Sequence, residues 1–70
     1  MNNELETLGD ALPKEMARCQ ELLEQYSSLG EVGRFAYVMI SNDIARAQKA
    51  IFEGDTVAML LAYEVLKGCK

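Results

Sequence analysis

Histidine is absent from this chain of 70 residues. That removes the commonest general base, the serine and cysteine triads that depend on an imidazole, and every histidine-dependent zinc site. Cysteine is nearly absent. Cys19 and Cys69 stand far apart and form no Cys-x-x-Cys pair, which argues against a structural zinc site. The glycines are scattered, and no Gly-x-x-x-x-Gly-Lys run cradles a phosphate. No apolar run approaches the roughly 18 residues of a membrane span. The stretch Met1 to Asp10 lacks the basic start and apolar centre of a signal peptide. The expected location is therefore the cytoplasm, with both thiols reduced. No catalytic residue, metal site or cofactor is expected, and the chain reads as a protein that is not an enzyme.

Bases are also scarce. Seven lysines and arginines face eleven acids, for a net charge of −4. Residues 1–31 alone carry −5 (Glu4, Glu6, Asp10, Glu15, Glu21, Glu24 and Glu31 against Lys14 and Arg18), and residues 32–70 carry +1. Direct nucleic-acid binding needs a clustered basic footprint, so it is not expected. The acidic first half reads as a solvated helix face. Its sharper reading is a small acidic regulator that occupies a basic site on a partner protein.

Apolar residues, by contrast, make up half of the chain. A domain this small buries only about 60% of its unfolded surface, so some of those side chains must face solvent or a partner. Their spacing predicts an all-α fold: a small three-helix bundle of antiparallel helices that pairs with a second copy. Residues 1–9 read as a frayed or short helical arm, punctuated by Gly9 and Asp10, and residues 10–70 as the domain.

The first helix is predicted over 13–29. Pro13 would sit in its first turn, its stripe would be Met16, Cys19, Leu22, Leu23, Tyr26 and Leu29, and Gly30 would close it in a left-handed cap. Cys19 on that stripe reads as a buried, inert thiol. A connection over Gly30-Glu31-Val32-Gly33 leads to a second helix over 34–52. Its stripe is Ala36, Tyr37, Ile40, Ile44, Ala47 and Ile51, whose two alanines allow close approach of a neighbour. Gly54 and Asp55 mark a stop and an N-cap, and the third helix runs over 56–67, closed by Gly68. Cys69 then lies in an exposed tail, open to intermolecular pairing on oxidation.

The third helix is the informative one. Val57, Ala58, Met59, Leu61, Ala62, Tyr63, Val65 and Leu66 cover an arc of roughly 240°, whereas a surface helix needs a stripe little wider than 100°. Either this helix lies between two others or it meets a second molecule. The expected interface is Phe35, Met39, Met59, Tyr63 and Leu66, enriched in the methionine and aromatic side chains that interfaces favour. The expected partner is the chain itself or another protein. Base-edge readers are nearly missing from this helix, so it is a poor DNA-recognition helix. Asp43 and Arg46 can pair across one turn, a surface interaction worth at most about 1 kcal/mol. With Arg34 they are the only candidates for a polar pocket.

Finally, the segments Leu12-Pro13-Lys14-Glu15-Met16, Gly33-Arg34-Phe35-Ala36, Met39-Ile40, and Glu53-Gly54-Asp55 through Ala62-Tyr63-Glu64-Val65-Leu66-Lys67-Gly68-Cys69-Lys70 resemble short uncharacterised bacterial proteins, some of them prophage-associated. The resemblance covers residues 12–70 and implies no activity and no functional residue.

Overall fold

The computed structural model describes residues 8–69. They form three helices packed against one another, α1 (Leu8–Ser27), α2 (Glu31–Glu53) and α3 (Thr56–Lys67). No strand occurs among the described residues. Nor is any described helix long and apolar enough to cross a membrane.

α1 differs from its expected form at both ends. Gly9 and Asp10 do not punctuate the chain; both are helical, and Pro13 lies inside the helix rather than in its first turn. The remainder of the expected N-terminal arm, residues 1–7, lies outside the described residues. A proline in a helix interior costs about 3 kcal/mol through a missing donor and a crowded carbonyl. Leu12, fully buried, offsets it: such burial contributes about 1.5–3 kcal/mol. Leu8, Leu12, Met16, Cys19, Leu23 and Tyr26 then form one continuous stripe with helical spacing. Packing outweighs local preference here.

At the other end α1 stops at Ser27 rather than Leu29. The hydroxyls of Ser27 and Ser28 donate to the carbonyls of Glu24 and Gln25, each at 2.8 Å, and so satisfy part of the last turn. The connection is Ser28–Gly30. Gly30, at φ 67° and ψ −139°, is not in the left-handed cap expected of it, but its backbone lies in a region open essentially to glycine alone.

Gly33 was expected in that connection, yet it is buried inside α2. A Cβ there would meet the carbonyl oxygen of Tyr26, lie 2.9 Å from the carbonyl carbon and 3.0 Å from the Cβ of Leu29. The glycine lets α2 begin hard against the end of α1. Its role is close approach rather than a turn.

The α2–α3 junction agrees with expectation. Gly54 is left-handed at φ 68°, and the amides of Gly54 and Asp55 donate to the carbonyls of Ile51 (3.1 Å) and Ala50 (3.1 Å). These are the two bonds of a Schellman cap. Asp55 Oδ1 accepts from the Ala58 amide at 3.1 Å and starts α3. Stop and start thus occupy two residues. Gly68 ends α3 in a right-handed conformation.

The core joins Leu12 and Cys19 of α1, Ile40, Ile44 and Ala47 of α2, and Ala62 and Leu66 of α3. Met16, Leu22, Leu23, Tyr26, Met59, Tyr63 and Cys69 pack around it half-buried. Ala47, Ala50 and Ala62 are buried, so small residues line both α2 and α3.

Candidate interaction surface

Side by side, α2 and α3 leave a groove of about 390 Å³ between them. Its floor is Ala50, Ala58 and Ala62. Leu61 and Val65 form the α3 wall, and Asp43, Arg46, Lys49 and Glu53 form the α2 rim. The alanines create the groove, because their side chains are too short to fill the space above the buried contact. Val57, 68% exposed, lies one turn before Leu61, which is 63% exposed, and Val65 follows one turn later. At spacings of four, these three form a single apolar row along the outer side of α3. The rim carries two cations and two anions, and Arg46 reaches Asp43 only at 3.9 Å.

Helix lengths add a second apolar area. The 12 residues of α3 span about 18 Å and the 23 of α2 about 34 Å. α3 therefore cannot cover all of α2. The first turns of α2 expose Val32, Phe35, Val38 and Met39, with Phe35 at 74%. Val32, Phe35 and Met39 continue, at helical spacing, the row that holds Asp43, Arg46 and Ala50 in the groove.

The five residues expected at an interface divide accordingly. Phe35 and Met39 are exposed. Met59 and Tyr63 are half-buried against the core, and Lys67 lies over the Tyr63 ring, its Nζ 5.5 Å from the centroid. Leu66 is corrected outright: it is fully buried, and no partner can touch it without unpacking α3. The breadth of the apolar arc on α3 is real, but α1 covers the side that holds Leu66 and leaves the side with Val57, Leu61 and Val65 bare. Leu60, also exposed, lies further round. Periodicity measures the width of an arc and says nothing of which edge a neighbour takes.

The candidate polar pocket separates. Asp43 and Arg46 share the groove, whereas Arg34 lies at the α1–α2 turn in a second depression with Ser27, Gly30, Glu31 and Tyr37. Among the described residues, no three cysteines or acids are grouped as metal ligands.

One polar cluster had no counterpart in the sequence reading. The Arg18 guanidinium donates to the carbonyls of Leu66 (2.7 Å) and Cys69 (2.9 Å), and its Nε donates to Glu15 at 3.0 Å. It occupies the negative end of the α3 dipole, where a cation is favoured. The hydrogen bond it donates to Glu15 raises the Arg18 pKa above its ordinary value. Beneath it, the buried Cys19 thiol donates to the Leu66 carbonyl at 3.5 Å, and the Cys69 thiol lies beside it. Burial first, then Cys69, pushes the Cys19 pKa up to about 11. The only sequence signal was a base, one of two on a helix with four acids, placed one residue before a cysteine on the stripe.

No family model matches this chain, and neither a curated protein nor a solved structure is significantly similar to it.

Proposed function

We propose that this domain is a non-catalytic association module that pairs with a second copy of itself through the outer face of α2 and α3. One observation carries the reading: the row Val57, Leu61 and Val65 lies bare beside a groove with an alanine floor. An exposed apolar patch with a polar rim marks an association surface. The rim argues for a second copy as the occupant. A two-fold pairing sets the same patch against itself. Arg46 and Lys49 of one copy then face Asp43 and Glu53 of the other, which a rim of one sign would forbid. The reading takes the three helices as antiparallel neighbours, because connections of three and two residues favour that arrangement. It assigns the protein to the cytoplasm, in keeping with two free cysteines.

Sedimentation equilibrium at micromolar concentration tests it. The expected species is twice 7.8 kDa, and Leu61→Glu or Val65→Glu returns it to a single chain with an unchanged helical spectrum. A wild-type chain that remains single up to millimolar concentration excludes self-pairing.

A further inference from the structure

We propose that Cys19 and Cys69 form a convertible thiol pair, a modification site that takes a low-molecular-weight disulfide as co-substrate and closes to an intramolecular bridge. Both residues converge on one atom. The Cys19 thiol lies 3.5 Å from the Leu66 carbonyl oxygen, and the Cys69 amide lies 3.0 Å from the same oxygen. The Cys69 backbone is therefore no further from the Cys19 sulfur than the sum of those distances, and its own side chain packs against the core beside Cys19. The two side chains also lie within hydrogen-bonding reach of each other, so the sulfurs that a disulfide must join already adjoin. Arg18 holds the Cys69 and Leu66 carbonyls together, which fixes the last turn of α3 over Cys19.

Unequal exposure sets the order of events. Cys69 is partly exposed and Cys19 is buried. Cys69 loses its proton and attacks one sulfur of the small disulfide; the S–S bond breaks, a small thiolate leaves, and Cys69 carries the mixed disulfide. Cys19 then gives up its proton and attacks the Cys69 sulfur, expelling the second small thiolate. The protein loses two electrons and two protons, and one small disulfide becomes two small thiols. The product ties the end of α3 to the middle of α1. In a reducing compartment such a bridge is transient and reports the thiol balance. The inference is independent of self-pairing, because neither sulfur belongs to the groove.

The test treats the full chain at low micromolar concentration with oxidised glutathione and follows intact mass. A short-lived adduct is expected, then a species lacking two hydrogens, a proteolytic peptide that links Cys19 to Cys69, and a Tm raised until reductant is added. Cys19→Ala should keep the adduct, and Cys69→Ser should form none. A wild-type adduct that persists, or a Cys69–Cys69 dimer as the main product, overturns the proposal. Because the decisive readout is made on the wild-type chain, poor folding of either variant leaves the test standing.

Discussion

The guanidinium of Arg18 donates to the carbonyl oxygen of Leu66 at 2.7 Å, joining a surface cation on α1 to the backbone of the most deeply buried residue of α3. Leu66 is held on both sides: its side chain fills the core and its carbonyl receives Arg18 and the Cys19 thiol. Arg18→Ala should lower Tm and speed hydrogen exchange at the amides of Gly68 and Cys69, which close the last turn on Val65 and Leu66. Lysine should restore only part of the protection, since a single ammonium does not reproduce the planar fork. Unchanged exchange in Arg18→Ala would mean that the clasp contributes nothing to the end of α3.

Gly33→Ala sets two effects against each other. Alanine in a helix gains about 1 kcal/mol over glycine. The added methyl, however, meets the Tyr26 backbone, which cannot move aside as a side-chain end can. Overpacking costs typically about 1–3 kcal/mol. The expected result is a lower urea midpoint, and a raised midpoint would show that the helix ends slide freely.

Leu66 and Leu61 lie on opposite sides of α3, and unfolding in dilute solution should tell them apart. Leu66→Ala empties a fully buried site and should cost about 2–5 kcal/mol, most of the stability of a domain this small. Leu61→Ala changes an exposed site and should stay within about 0.5 kcal/mol. Comparable losses from both would contradict the burial described above.

Alkali should weaken the fold through Cys19. Its pKa is raised from 9.0 to about 11, so the folded chain holds the thiol proton more tightly than the unfolded chain does. That stabilisation is complete below pH 9 and is lost as pH rises through 11. Denaturation across pH 8–11 should show the decline in wild type and a shallower one in Cys19→Ala. Parallel curves would mean that the burial of Cys19 does not govern its proton.

The ends of α3 were legible residue by residue because glycine, aspartate and the following amides make a cap from neighbours in sequence alone. The start of α1 was not. Pro13 read locally marks a first turn, but Leu8 and Leu12 are drawn into the helix by a core that other helices supply. Gly33 misled for the same reason. Its local signal is a turn, and its constraint is Tyr26, seven positions earlier and across a connection.

What the sequence determined by itself was the all-α class, three helices, and an excess of apolar surface on the last of them, since each follows from composition and a repeat of 3.6 residues. Tertiary structure alone decided which side of α3 is bare, why Leu66 is core while Leu61 and Val65 line a groove, and that Arg18 closes a helix 48 residues away. The physical reason is one of range. Periodicity fixes the angle of each side chain about its own axis, but the azimuth at which a neighbour docks depends on contacts between segments that only folding brings together.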